Sequence, residues 1–157
     1  MALLNDFKTA RKVVRTMLRS RRNRRRVAGL MDEHPLPAPG SVSIAVYFAD
    51  TKVNLYQIRQ WYAPLAELSK RFPVSIIARS PSSVLALWEE APVPTVYLRR
   101  VSELEQFVSE QPLKIVFYVN QNAKNFQMFR YGRMWHVFIN HGESDKMYMT
   151  TNQFKGY

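Results

Sequence analysis

The sequence has no cysteine, only five glycines and no long uninterrupted apolar run. The lack of cysteine excludes a disulfide framework and a thiolate metal site. A membrane-spanning helix needs about 20 consecutive apolar residues, and no run of that kind occurs. The phosphate-binding patterns GxGxxG and GxxxxGK[ST] are also missing. We therefore do not expect a complete nucleotide site within this chain.

What is present is a globular composition with a strong excess of positive charge. Hydrophobic residues make up 46% of the 157 residues and charged residues 22%, a balance typical of one folded domain. Lysine and arginine number 23 against 12 acidic residues. Residues 1–34 hold ten basic and three acidic side chains, and residues 35–157 hold thirteen and nine. Most of the excess charge therefore lies in the front segment.

Residues 1–31 have the pattern of a basic amphipathic helix. Apolar side chains spaced by three and four residues predict one face, formed by Leu3, Phe7, Ala10, Val14 and Met17. A basic stripe lies roughly opposite and contains Lys8, Lys12, Arg15, Arg19, Arg22 and Arg26, with Arg11 between the two faces. After Leu18, further arginines fall on or near the apolar face. The helix is thus expected to begin amphipathic and to end basic all round.

This pattern leaves three interpretations open. An apolar stripe beside a polybasic face is typical of a helix lying on an anionic membrane surface. An arginine cluster could instead bind the phosphates of a nucleic acid, although aromatic residues for base stacking are absent from the cluster. The helix could also dock on its own domain or on a partner, with a solvated basic side.

Residues 42–157 predict a Rossmann-like α/β domain, which follows a proline-rich linker at 32–41. Short apolar runs that alternate with helical patterns indicate βαβ units and a mostly parallel sheet in three layers. The predicted strands are 42–48, 74–78, 94–98, 114–120 and 135–140. The predicted helices are 53–72 with Pro64 as a kink or break, 82–90, 101–110 and 122–132 ending at Gly132.

Two predicted loops, 120–125 and 140–146, follow the last two strands. Ligands of parallel α/β sheets bind at the carboxyl ends of the strands. His141 could act as a general base near neutral pH, with Glu143 or Asp145 holding its tautomer and Lys146 meeting an anion. The alternative is that His141 is an ordinary loop histidine with a satisfied hydrogen bond.

Other catalytic or metal-binding arrangements are not indicated. His136 and His141 lack a cysteine or a third ligand nearby, and His136 is expected to be a sheet residue. No nucleophile-elbow pattern surrounds Ser144. We expect neither a metal nor a cofactor.

The run YVNQNAKNFQMFRYGRMWHVFINHGESDKMYMTTNQFKGY, at the end of the chain, resembles the CDP-glycerol:glycerophosphate glycerophosphotransferases, the teichoic-acid polymerase family. The resemblance is firmest over residues 114–157 and looser over 42–113. The family pattern is a strand, then His-Gly, then a lysine, which correspond here to His141, Gly142 and Lys146. The resemblance implies a GT-B-like enzyme with two Rossmann-like domains, of which this chain would be the first, acceptor-side domain, ending before the donor-binding domain.

The resemblance further implies that His141 deprotonates the acceptor glycerol hydroxyl, which attacks the β-phosphate of CDP-glycerol with CMP as leaving group. Acceptor contacts are expected from Gly142, Glu143, Ser144, Asp145, Lys146, Asn120 and Asn122. The acceptor would be a lipid-linked glycerophosphate on the inner face of the cell membrane. Lys8, Arg11, Lys12, Arg15, Arg19, Arg22 and Arg26 would then bind that membrane.

The chain departs from the commoner His-Gly-Thr-Pro form of the family by having Glu143 and Ser144 after the glycine. A related enzyme that moves another nucleotide-activated alditol phosphate or sugar therefore stays open. From a different class, so does a non-catalytic basic α/β module that binds nucleic acid or an anionic membrane.

Overall fold

The structure is a computed structural model that describes the backbone of residues 2–140 and the side chains of residues 9–140. Helices and strands alternate along this part of the chain, as predicted. The helices are α1 (Ala2–Leu30), α2 (Tyr56–Arg59), α3 (Tyr62–Ser69), α4 (Pro81–Glu90), α5 (Val101–Glu110) and α6 (Phe126–Phe129). The strands are β1 (Ile44–Phe48), β2 (Val74–Ala78), β3 (Thr95–Tyr97), β4 (Ile115–Tyr118) and β5 (Trp135–Phe138). Short 3₁₀ turns lie at Lys52–Asn54 and Ala123–Asn125.

The five strands form one parallel sheet in the order β3-β2-β1-β4-β5. The chain runs outward from β1 through β2 to β3 and then returns to place β4 on the other side of β1. Ile44 of β1 therefore pairs with Val74 of β2 on one side and with Ile115 of β4 on the other. This confirms the predicted Rossmann-like α/β class, and it creates a topological switch point between β1 and β4.

Both faces of the sheet are covered, which explains the continuous apolar runs of the central strands. Every residue of β1 and β2 is buried. On one face Val46 and Ile76 pack in a core that includes residues of α1, α3 and α4. On the other face Tyr47 joins a core that includes Phe107 of α5. Strand β5 is at the edge, and Trp135 there is 78% exposed.

Helix α1 is anchored to the domain by its last turns. Val27 is buried in the core beside α4, and Leu30 is packed against the same cluster. Earlier in the helix the apolar side chains are open to solvent: Val13, Val14, Met17 and Leu18 are 47–65% exposed. The helix is thus docked at one end and leaves an apolar surface uncovered along the described part of the other.

The predicted helix over 53–72 is divided into α2 and α3 by a break at Gln60 and Trp61. Pro64 lies inside α3 rather than at the break. A proline ring in a helix clashes with the carbonyl group four residues earlier, and that residue is Gln60. The break therefore lies one turn before the proline that causes it.

The prediction of one helix over 122–132 was wrong in its extent. A 3₁₀ turn precedes α6, which ends at Phe129. Gly132 does not provide a left-handed helix end, because Gly40 is the only glycine of residues 2–140 with a positive φ. The hydrogen bond from Tyr131 N–H to the Met128 carbonyl closes the segment instead.

Candidate functional site

The switch point places Asp50, which follows β1, beside Asn120, which follows β4. The amide Nδ2 of Asn120 donates to Oδ2 of Asp50 at 3.3 Å. The same oxygen accepts from Nδ2 of Asn54 at 2.8 Å, and Oδ1 accepts from the backbone N–H of Thr51 at 2.7 Å. The carboxylate is half-buried and fixed by these donors. A half-buried carboxylate with its donors in place is a suitable acceptor for a further hydroxyl group.

Asp50 was missed in the sequence because no motif surrounds it. The only available signal was a polar residue directly after a fully apolar strand, in the run IAVYFAD. That signal does not identify which strand will lie next to β1. The position becomes significant only when the strand order places β4 beside it.

Asn120 was predicted to bind substrate, and the structure places it in a buried position two residues after the end of β4. Its side chain is 3% exposed, and Nδ2 also donates to Oε1 of the buried Gln57 at 2.6 Å. Its carbonyl oxygen accepts from Nδ2 of Asn125 at 2.8 Å. Asn120 therefore holds β4, α2 and the turn before α6 together, and any direct contact with substrate stays a prediction.

Asn122, the other amide predicted to bind substrate, has a local structural role. Its Oδ1 accepts from the backbone N–H of Lys124 at 3.0 Å and caps the 3₁₀ turn at Ala123–Asn125. This is the usual role of asparagine before a helical turn. Asn122 is half-buried, so part of its surface is accessible to solvent.

A buried tyrosine also holds the loop after β4 through a hydrogen bond. The hydroxyl of Tyr47 in β1 donates to the Lys124 carbonyl at 3.1 Å. Burial raises the pKa of Tyr47 to about 12, and the nearby charge of Arg79 offsets part of that shift. Tyr47 therefore stays a neutral hydrogen-bond donor at physiological pH.

His136 lies in β5 as a sheet residue, as predicted. Nδ1 lies 2.7 Å from the hydroxyl of Tyr118, and Nε2 lies 3.0 Å from the carbonyl oxygen of Tyr131. Since the carbonyl can only accept, Nε2 carries the proton and Nδ1 accepts from the tyrosine. Both ring nitrogens are used within the fold.

Asn140, the residue before the predicted catalytic histidine, lies two residues after the end of β5. Asn140 has a φ of 58°, a left-handed conformation that asparagine tolerates better than most residues. Its carbonyl oxygen accepts a hydrogen bond from Nε1 of Trp61 at 2.7 Å. Trp61 lies at the break between α2 and α3, so the interruption of that helix positions the indole. The predicted site residues His141, Gly142, Glu143, Ser144, Asp145 and Lys146 lie outside the described residues.

The basic residues predicted to bind a membrane lie along α1. The side chains of Arg11, Lys12, Arg15, Arg19, Arg22 and Arg26 are all exposed. Lys8 belongs to α1, but its side chain is outside the described set. No helix within residues 2–140 combines the length and apolarity needed to cross a bilayer. Within the same residues, no three histidine, aspartate or glutamate side chains come together to hold a metal ion.

Comparison with protein-family models, curated proteins and solved structures finds no match to this chain. The class of the protein therefore follows from the fold: an all-parallel α/β domain with Rossmann-like strand order. Its candidate site lies at the carboxyl edge of the sheet. Asp50, Asn120 and Asn140 each lie there two residues after the end of a strand, namely β1, β4 and β5.

Proposed function

We propose that this chain is the acceptor-side part of a transferase that moves glycerol phosphate from CDP-glycerol to a lipid-linked glycerophosphate, in the synthesis of a teichoic-acid-like polymer. One observation carries the proposal. Asn140, which precedes the His-Gly pair, lies two residues after the end of β5, on the same edge of the sheet as Asp50 and Asn120 at the switch point. The resemblance of residues 114–157 to the glycerophosphotransferases supplies the reaction.

In this proposal His141 is the general base. Its imidazole takes the proton from the acceptor glycerol hydroxyl as the oxygen attacks the β-phosphorus of CDP-glycerol. A new P–O bond forms, the bond between that phosphorus and the bridging oxygen breaks, and CMP leaves with the bridging oxygen. Positioning and charge neutralisation contribute most of the catalysis in such in-line transfers. Lys146 meets acceptor phosphate, and Gly142, Glu143, Ser144 and Asp145 shape the acceptor loop.

Asp50 joins this set of residues as a hydrogen-bond acceptor for glycerol hydroxyls. Its two oxygens are already fixed by N–H groups from three residues, so little ordering is needed when an alcohol binds. Asn120 has the supporting task of holding that carboxylate in place. The CDP moiety would be bound mainly by a second domain facing this edge.

The membrane part of the proposal assigns α1 to the inner face of the cell membrane. Its exposed apolar residues, including Val14 and Met17, would insert between headgroups. The arginines and lysines would add roughly 1 kcal/mol each near an anionic surface. This arrangement keeps the enzyme beside its lipid-linked acceptor.

The test is an assay of this chain joined in one polypeptide to the donor-binding domain that the resemblance implies. The assay contains CDP-glycerol with a lipid-linked glycerophosphate primer, and CMP is measured by chromatography. We expect CMP only when donor and primer are both present, together with primer extension by one glycerol phosphate unit. CMP released without primer extension, or release from other CDP-alditols but never CDP-glycerol, would contradict the proposed reaction.

A non-catalytic basic module is the second candidate, and the exposed arginines of α1 favour it. In that case a gel shift with RNA or DNA, or vesicle binding, would depend on residues 8–26, while His141→Ala would change no measurable property. Loss of CMP release in His141→Ala would contradict this second candidate.

A further inference from the structure

A groove of about 580 Å³ lies between α1 and α4, beside the residues that follow the carboxyl ends of β1 and β2. One wall is formed by α1, and the other by the loop after β1 together with Ser80 and α4 as far as Glu89. The polar side chains of its lining include Arg19, Arg26, Lys52, Ser80, Ser82 and Glu89. The charged part of this lining thus consists of three cations and one carboxylate.

The three cations come from two separate parts of the chain. Arg19 and Arg26 are seven residues apart and therefore lie on the same side of α1, two turns from each other. Lys52 is contributed by the 3₁₀ turn after β1. None of the ion pairs found within residues 9–140 includes any of these three side chains. Lys52 also lies near Glu90, where its charge, after the hydrogen bond from Arg59, helps to lower the pKa of that carboxyl. With Glu89 counted, the described lining still carries two more positive than negative charges, which favours an anion.

Hydroxyl groups line the wall opposite the arginines. Ser80 Oγ lies 3.0 Å from Ser82 Oγ, and Ser82 Oγ accepts from the backbone N–H of Lys52 at 3.2 Å. These bonds join the loop after β1 to α4 and place both hydroxyls beside the backbone of Lys52 on one wall. Planar guanidinium groups, an ammonium group and hydroxyls together form the donor set that proteins use for phosphate oxygens.

We propose that this groove binds a phosphate ester. Its volume exceeds that of a bare phosphate and leaves room for the attached alcohol. Among the described residues no aromatic ring lines it, so it lacks the stacking surface expected for a nucleobase. The proposal goes beyond the transferase function, because binding here needs neither a donor nucleotide nor His141. The ester can be a free glycerol phosphate or the headgroup of an anionic lipid.

The free ester is tested by backbone-amide NMR of the whole chain titrated with sn-glycerol 3-phosphate at constant ionic strength. We expect saturable shifts at residues 51–53 and at Ser80, Ser82 and Ser83. The groove variant is Arg19→Gln with Arg26→Gln. Its matched control is Arg15→Gln with Arg22→Gln, which has the same charge change and spacing on the same exposed helix but does not line the groove. The groove variant should raise Kd about tenfold or more, since each lost charge contributes to phosphate affinity, while the control stays within about twofold.

The lipid source is tested with vesicles of phosphatidylglycerol and phosphatidylcholine, on variants whose circular dichroism matches that of the wild type. Groove-selective loss of the NMR shifts supports a free ester. The absence of those shifts, together with a larger loss of vesicle binding in the groove variant than in its control, supports a lipid headgroup. The proposal would be overturned if the groove variant and its control lost binding equally in the assay that shows binding. It would also be overturned if the wild type bound in neither assay.

Discussion

The indole Nε1 of Trp61 donates a 2.7 Å hydrogen bond to the carbonyl oxygen of Asn140, 79 residues further along the chain. This contact joins the break between α2 and α3 to the carboxyl end of β5, immediately before the predicted catalytic histidine. Trp88 provides a natural comparison, since its Nε1 donates to the Thr95 carbonyl at 2.9 Å away from the switch point. The two tryptophans therefore make similar hydrogen bonds, but only Trp61 is bonded next to the predicted catalytic residue.

Replacing Trp61 by phenylalanine should lower the rate of the proposed glycerol phosphate transfer, because Asn140, the residue before His141, loses a hydrogen bond that holds its backbone. Trp61→Phe and Trp88→Phe should each cost about 1 kcal/mol of unfolding free energy, the usual contribution of one hydrogen bond. Only Trp61→Phe should reduce kcat in the CMP-release assay. Equal reductions of kcat in both variants would show that the effect is general destabilisation.

Asn120→Asp tests the geometry of the switch point. The substitution puts a second carboxylate beside Asp50 in a buried position and should lower the unfolding free energy by at least about 2 kcal/mol at neutral pH. Burial and the like charge raise the pKa of the introduced group, so the difference from wild type should shrink as the pH falls toward about 4. Urea unfolding of both proteins between neutral pH and about pH 4 measures this difference in unfolding free energy.

The control for Asn120→Asp is Asn122→Asp, in which an aspartate replaces an asparagine that caps a helical turn. Aspartate is as good a cap as asparagine, so this variant should stay within about 0.5 kcal/mol of the wild type. A similar loss in both variants would contradict the assigned contact between residues 120 and 50.

The uncovered apolar residues of α1 should contribute to membrane binding. Val14→Ser combined with Met17→Ser should weaken binding to phosphatidylglycerol vesicles about tenfold or more, because even partial burial of two such side chains contributes more than 1.4 kcal/mol. Phe126→Ser, at an exposed position distant in sequence, is the control and should bind like the wild type. Binding that is equal in both variants, or equal on neutral vesicles at high salt, would contradict the interfacial placement of α1.

Alkaline pH should destabilise the fold through Tyr47. Its pKa is about 12 in the folded protein and about 10 when unfolded, so the folded state holds the proton more tightly. The contribution of the Tyr47 proton to the unfolding free energy is complete below about pH 10. It is lost as the pH rises through about 12, by up to about 3 kcal/mol. Chemical denaturation at several pH values should show a steeper alkaline loss for the wild type than for Tyr47→Phe. Parallel curves would contradict the assignment.

Much of the fold could be predicted from sequence because its elements have clear periodicity. The run VSIIA matches β2, and VSELEQFVSE matches α5, residue for residue. The segment over 122–132 was harder, because asparagines compete with the helix by bonding the backbone locally, as Asn122 does. Strand order was not available from the sequence, since it depends on contacts between distant segments, and Asp50 could not be recognised without it.

The grouping of Arg19, Arg26 and Lys52 shows the same limit. The two arginines were recognised as part of a basic helix, but their position relative to Lys52 depends on how α1 docks through Val27. Lys52 itself had no signal in the sequence. Helix periodicity predicts which residues share a face of the helix, but it does not predict which other part of the chain packs against that face.

In the proposed transferase, His141 is the general base for attack by the acceptor hydroxyl. The most direct measurement is the rate of primer-dependent CMP release by the chain joined to a donor-binding domain, for the wild type, His141→Gln and His34→Gln. His34 is a suitable control because its ring stacks on Trp88 with a centroid distance of 4.2 Å. The account predicts a loss of at least about 100-fold in His141→Gln, the range of general-base catalysis, with His34→Gln close to the wild type. CMP release by His141→Gln at the wild-type rate would contradict it.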